Sequence, residues 1–244
     1  MVPENINTAQ FRLLSFHMAL LLLIETATDI CSIGISDGLE VLSLNTAPEG
    51  YQHAAQITLL IERCLRETGY ALSDLDGLAL SSGPGSYTSL RIGTATAKGI
   101  CYSLDKPLVI VDSLQALALA TLQQEREEGL YFPLIDARRM EAYTAGFDAA
   151  NERITETQAI IIEEDTFSEY LRAGHTLVLS GNGAGKCQGV LPQKGILYSS
   201  VVCSAAHLCP LALPAFERGQ YADLAYYSPY YLKPPNITTP KKLL

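Results

Sequence analysis

Residues 19–45, ALLLLIETATDICSIGISDGLEVLSLN, hold three β-like stretches in succession: ALLLLIET, ICSIGIS and EVLSLN. Thr28-Asp29 and Asp37-Gly38 supply the turns, so the segment reads as three antiparallel strands. A helical pattern follows from Tyr51 to Thr68, closed by Gly69 in the position where glycine commonly ends a helix. Next come a buried strand (Gly77 to Ser81), the turn Gly83-Pro84-Gly85 and a helix from about Thr88 to Ser103. Pro107 introduces the strand LVIV, and Asp112-Ser113 caps a helix running to about Glu127.

The order then recurs. After Gly129 come LYFPLID, EAYTAGF and ITETQAIII as strands, a helix from Asp165 to Arg172 and a strand from Thr176 to Leu179. Gly181-Asn182-Gly183, a short helix, a short strand near Ile196 to Leu197 and a helix from Ser204 to about Gln220 complete the copy. The two copies are domain-sized and offset by about 110 residues. Three antiparallel strands continuing into alternating helices and strands is the order of a ribonuclease-H-like domain. Its duplication is the plan of the actin, sugar kinase and Hsp70 superfamily. The expected fold is a two-lobe α/β architecture. Residues 18–112 form an N-terminal lobe, joined by the helix at 204–220, and residues 113–203 form a smaller second lobe. Residues 1–17 read as an extension outside the fold. The segment 221–244, rich in proline and tyrosine, reads as an extended strap or docking peptide.

Composition narrows the function classes. The chain has 244 residues, 48% of them apolar, and a formal net charge of -9. An acidic chain has a weak electrostatic footprint for phosphate backbones, which disfavours a stand-alone nucleic-acid binder and leaves open contact through a more basic partner. Six cysteines without a CxxC pair indicate a reduced, cytoplasmic setting. Of these, Cys203 and Cys209 flank His207, but Cys209 would point away from the helix face shared by the other two. The apolar run from Met18 to Ile24 is far short of the ~20 residues a membrane span needs.

The most informative motif is SSGPGSYTSLRIGTATAKGI, Ser81 to Ile100. Gly83, Pro84, Gly85, Ser86 and Thr88 form a candidate anion or nucleotide loop at a helix start. The spacing is neither GxGxxG nor a Walker loop. The plain alternative is a tight strand-to-helix turn, with Arg91 paired to a carboxylate. In the helix, Gly93, Ala97 and Cys101 make one small-residue row, and Ala95 and Gly99 a second. Each interior glycine costs about 1 kcal/mol relative to alanine, so close approach of another helix is expected. The helix at 51–68 is broadly apolar through Ala54, Ile57, Ile61 and Leu65, with Leu59 and Leu60 widening the stripe. The pair is read as a subunit interface containing Tyr51, Ala54, Ile57, Ile61, Leu65, Arg91, Ile92, Gly93, Ala97 and Ile100. A snug contact within one lobe fits the same pattern. LSGNGAGKC (179–187) fails as a phosphate loop, with Ser180 at the first glycine position and Cys187 for the magnesium-binding hydroxyl. LIDARRMEAY places Asp136, Arg138, Arg139 and Glu141 at a β-turn, a candidate polar site or simply solvated charge.

At GPGSYTSLRIG the resemblance becomes specific. Together with LLIETAT, AKGI, LVIVDSLQALA, LIDARRMEAY and PYYLK, the chain resembles the TsaB (YeaZ) family from Met18 to Lys233. The resemblance implies two actin-like lobes and a non-catalytic partner of the paralogue TsaD. With the ATPase TsaE, these proteins place threonylcarbamoyl on the adenosine following the anticodon of certain tRNAs. It further implies that the two N-lobe helices meet the partner and that the chain forms a homodimer when alone. ATP and magnesium would enter only through partner subunits, and tRNA only through the complex. The catalytic paralogue has Val-Asn-His-x-x-x-His, whose histidines hold the metal. Here the pattern meets Val111-Asp112-Ser113, with Leu117 four residues on, so no catalytic or metal residue is expected. The first hairpin has Glu25-Thr26-Ala27 where the family more often shows Asp-Thr-Ser, and Ser89 stands where the family has glycine. The competing readings are a superfamily ATPase, or a glycoprotease-like enzyme, with its own active site.

Overall fold

Strand β1 (Leu20–Glu25) reads LLLLIE, and all six residues are buried. A strand without alternation belongs inside a sheet covered on both faces, and in the computed structural model, which describes residues 18–47 and 53–233, β1 lies at such a centre. Strands β2 (Ser32–Asp37) and β3 (Glu40–Thr46) extend antiparallel on one side of it. Strands β4 (Gly77–Ser81) and β5 (Leu108–Val111) extend parallel on the other, giving the order β3-β2-β1-β4-β5.

The second sheet repeats this plan strand for strand. It comprises β6 (Leu130–Asp136), β7 (Glu141–Thr144), β8 (Gln158–Ile161), β9 (Leu177–Ser180) and β10 (Ile196–Tyr198). Its order is β10-β9-β6-β7-β8, with β6-β7 and β7-β8 antiparallel and β6-β9 and β9-β10 parallel. The duplication read from element order is therefore present in the backbone.

Helices α1 (His53–Thr68) and α2 (Tyr87–Leu104) cover one face of the first sheet. Ile57, Ile61, Cys64, Ala97 and Cys101 close there on Leu22, Ile24, Ile33 and Ile35. Helix α3 (Ser113–Glu125) starts at Asp112, whose side chain accepts from Gln115 N at 2.8 Å. It sends Leu114, Leu117 and Ala118 into a core with Tyr131 and Ile135 of the second sheet. The opposite face of that sheet carries only the five-residue α4 (Ser168–Arg172) and a single 3-10 turn, Ala184–Cys187, among the described residues. A 3-10 turn, Ala205–Leu208, and helix α5 (Cys209–Glu217) return to the first lobe and cover its remaining face.

Several boundaries differ from the sequence reading, among them the strand expected over 141–147, which ends at Thr144. The helix expected at 204–220 divides into the 3-10 turn and α5 and stops before Gly219, which is left-handed at φ 68. The helix expected from Asp165 begins at Ser168, because Phe167 takes a left-handed conformation at φ 65. The third strand of the second copy keeps only Gln158–Ile161 of its expected length. The readings of residues 1–17, of Tyr51 and of 234–244 lie outside the described residues.

Residues 221–233 run along the surface as an extended segment. Ala222 N donates to Leu108 O, and Lys98 Nζ donates to the carbonyls of Ala225 and Tyr227. Tyr230 N then donates to Ser82 O, the Tyr231 ring lies 4.6 Å from Tyr87, and Lys233 ends on Glu141 of the second lobe. No helix among the described residues is long and apolar enough to cross a membrane.

Candidate functional site at the lobe junction

The glycine loop after β4 is pressed onto the turn after β1. Ser86 N donates to Ala27 O at 2.7 Å, and a Cβ on Gly85 would stand 2.0 Å from that same carbonyl oxygen. Gly83 N donates to Ser113 Oγ at 3.0 Å, and Ser86 Oγ caps α2 by accepting from Ser89 N. The turn uses its own amides as well. Thr26 N donates to Ser81 Oγ, Ala27 N to Glu25 Oε1 at 2.6 Å, and Ile30 N to Thr28 Oγ1. Phosphate cradles need backbone N–H groups left free to point at the ligand. Here the amides of Ser86, Gly83, Thr26, Ala27 and Ile30 are all satisfied inside the chain. Of the candidate anion loop, Gly83, Pro84, Gly85 and Ser86 come together as a packing joint, while Thr88 is exposed on α2.

Glu25 sits at the centre of this joint, 1% exposed. Burial raises its carboxyl to about 7, against hydrogen bonds from Ala27, Ser81 and Thr26 that favour the charged form. Burial, with Glu25 nearby, also pushes the Cys31 thiol up to about 11. The Cys203 thiol, buried in the second lobe's core, is raised by burial and by Glu25 and Asp29. Cys209 instead donates to Gly38 O at 3.2 Å on the far side of β2.

On the N-lobe helices, Gly93 and Ala97 face inward. A Cβ on Gly93 would lie 2.2 Å from Thr26 Oγ1. Ile57 and Ile61 are likewise in the lobe's core. These four residues of the expected interface set are therefore internal, because their small or branched side chains let α1 and α2 settle onto β1 and its turn. The second small-residue row is the outer one. Ala95 and Gly99 are exposed, a Cβ on Gly99 would meet nothing within 4 Å, and Tyr102 beside them is 86% exposed. Ala54 and Arg91 are exposed too, while Leu65, Ile92 and Ile100 are half-buried against the core. Arg91 meets no carboxylate among the described residues: its guanidinium lies 5.5 Å from the Tyr87 ring. Tyr87, Thr88, Arg91, Ile92 and Ala95 line a shallow groove of about 340 Å³. At the head of the pair, Ser89 Oγ donates to Ser86 Oγ at 2.9 Å and lies 3.5 Å from His53 Nδ1.

Across the junction, the β6–β7 turn gathers Asp136, Arg138 and Glu141 with residues that local spacing could not reveal. Asp136 Oδ1 accepts from Lys186 Nζ and from Arg138 N. Glu141 pairs with Lys233. Asn182 accepts from Asp136 N at 3.0 Å and donates to Asp29 Oδ1 at 3.1 Å, tying this turn to the first hairpin. Lys186 and Asn182 come from the glycine stretch that fails as a phosphate loop. Arg138 and Arg139 are both left-handed, at φ 71 and 51. For non-glycine residues that conformation costs roughly 1–2 kcal/mol each.

This geometry matches known proteins over most of the chain. A family model described as TsaD, tRNA N6-adenosine threonylcarbamoyltransferase, matches residues 48–171, just over half of the chain. The TsaB protein of Escherichia coli, a tRNA threonylcarbamoyladenosine biosynthesis protein, is 26% identical over 223 residues, covering 87% of this chain and 94% of that protein. YeaZ from Pseudomonas aeruginosa superposes with a TM-score of 0.70 at 26% identity, covering 88% of this chain and all of that one. The chain belongs to the TsaB (YeaZ) family. A TsaB of Haemophilus influenzae is 32% identical over 123 residues, about half of each protein. In this TsaB-family chain Ser113 and Leu117, the positions that the sequence reading sets against a histidine pair, are both engaged within the fold. Ser113 Oγ is taken by Gly83 N, and Leu117 is 1% exposed in the second lobe's core.

Proposed function

We propose that this chain is a non-catalytic subunit of tRNA threonylcarbamoyladenosine biosynthesis that pairs with a TsaD-type paralogue and works with a TsaE-type ATPase. The observation that carries the reading is the sealed junction. The amides of Gly83, Ser86, Thr26, Ala27 and Ile30 in the two facing turns are bonded within the chain, and hydrocarbon stands at Leu117, where the resemblance puts a metal-binding histidine. Leucine offers no lone pair to a metal. On this reading nucleotide, magnesium and transfer chemistry belong to the partners, and tRNA is met through the assembly.

The paired surface is the outer face of α1 and α2. Leu59 is 55% exposed there and Tyr102 86%. Gly99 sits inside a helix with no neighbour within 4 Å of an added Cβ among the described residues to offset its cost. A stable heterodimer buries about 1,600 Å² in total, which calls on both helices together. Without the paralogue the same face supports a homodimer. The test is co-purification of the chain with the cognate TsaD-type protein, then transfer assays with and without the chain. We expect a stable complex and modification that depends on it. Full modification by the paralogue and the ATPase alone would defeat the reading.

A further inference from the structure

We propose that the β6–β7 turn, through Arg138 and Arg139, contacts the phosphate backbone of the RNA on which the assembly works. The inference rests on the reading under Proposed function. It comes from a mismatch between residue type and backbone. Two successive left-handed residues in a hairpin turn are the place for Asn or Gly, yet both positions carry arginine. Nothing inside the described chain accounts for them. Among the described residues neither guanidinium forms an ion pair, and both side chains are exposed. The two carboxylates of the turn itself are already paired, Asp136 with Lys186 and Glu141 with Lys233.

The turn thus presents two exposed guanidinium groups without an ion pair among the described residues. Arg138, Arg139, Lys186 and Lys233 stand there against Asp136 and Glu141, with Asp29 reached through Asn182 and Glu163 next to Ile162, whose N donates to Met140 O. It is also held firmly: Asn182 fixes Asp136 N and reaches Asp29, and Lys186 also donates to Glu141 O at 2.8 Å. A rigid mount with two unpaired guanidinium groups suits phosphate, which arginine binds through two parallel N–H donors. The net charge of -9 keeps this contact weak in the isolated chain.

The test uses the full chain carrying Arg138→Asn and Arg139→Gly. Asparagine and glycine suit the left-handed conformation, so the variant stays folded while losing two positive charges; an unfolding temperature at or above the parent's checks this. Filter binding of tRNA is measured over a salt series, with the chain alone at low salt and with the chain bound to its TsaD-type partner. We expect affinity to fall roughly three- to tenfold in both arms. The slope of log affinity against log salt should shrink by about 1–2, one phosphate contact per arginine. A charge-preserving variant, Arg138→Lys with Arg139→Lys, should keep the parent's salt slope, with an affinity between those of the parent and of the charge-loss variant because the paired donors are gone. Unaltered affinity and slope in both arms would overturn the proposal. So would loss of co-elution with the partner at unchanged tRNA affinity, which would assign the arginines to a protein contact. If the parent chain never co-elutes with the partner, the reading under Proposed function fails, and the isolated-chain arm still decides this one.

Discussion

Gly93 and Thr26 meet so closely that a Cβ at position 93 would stand 2.2 Å from Thr26 Oγ1. This contact sets how near α2 can lie to the first hairpin. Gly93→Ala gains helix propensity of about 1 kcal/mol but overpacks a fixed joint, which costs about 1–3 kcal/mol. We expect a net loss of up to about 2 kcal/mol by urea unfolding. Thr26 Oγ1 has no hydrogen-bond partner to lose among the described residues, so adding Thr26→Ala should recover most of that loss. Simple additivity of the two substitutions would show that the contact does not set the spacing.

Gly99 gives the opposite result on the same helix. A Cβ added there meets nothing within 4 Å, so Gly99→Ala should stabilise the isolated chain by about 0.5–1 kcal/mol. Gly99→Trp should leave the fold intact and abolish co-elution with the TsaD-type partner, because a large side chain holds the facing surface away. Undiminished pairing by the tryptophan variant would remove the outer face of α2 from the interface.

The two glycines also mark the limit of what the sequence discloses. The buried run LLLLIE, the Gly-Pro-Gly turn and the Asp112 cap are local signals, and they place β1, the loop and α3 correctly. Which small-residue row of α2 faces inward is not local. Both rows have helical spacing, and Thr26, far back in the chain, decides between them. The same holds at the β6–β7 turn. Asp136 and Glu141 look like solvated turn charges until Lys186 and Lys233 arrive from 50 and 92 residues away. Left-handed Gly219 and Phe167 bound α5 and α4, and neither boundary shows in apolar periodicity.

Glu25 makes stability depend on pH. Its carboxyl is raised from 4.5 to about 7 by burial. The folded state therefore holds a proton that the unfolded chain releases between those values. Stability is greatest below the unfolded value and declines as pH rises through the folded one. The total effect is about 3 kcal/mol, at ~1.4 kcal/mol for each tenfold change in proton affinity. Glu25→Gln keeps the oxygen that accepts from Ala27 N and removes the ionisation. It should be more stable than the parent at pH 8, with the advantage shrinking toward pH 5. Parallel unfolding curves across that range would mean that Glu25 titrates normally.

Tyr227 anchors the surface segment that joins the two lobes. Its hydroxyl is buried without a hydrogen-bond partner among the described residues, and burial raises its ionisation well above the usual phenol range. A buried donor lacking an acceptor loses its hydration for no return, at about 1–3 kcal/mol. Tyr227→Phe keeps the ring packed against the first-lobe core and removes that loss. The variant should gain about 1 kcal/mol in urea unfolding. Cleavage within 221–233 by a protease should slow in parallel, since the segment opens less often. Lower stability in the phenylalanine variant would show that the hydroxyl has a partner in solution, and that the segment is held by a polar contact instead of by its ring.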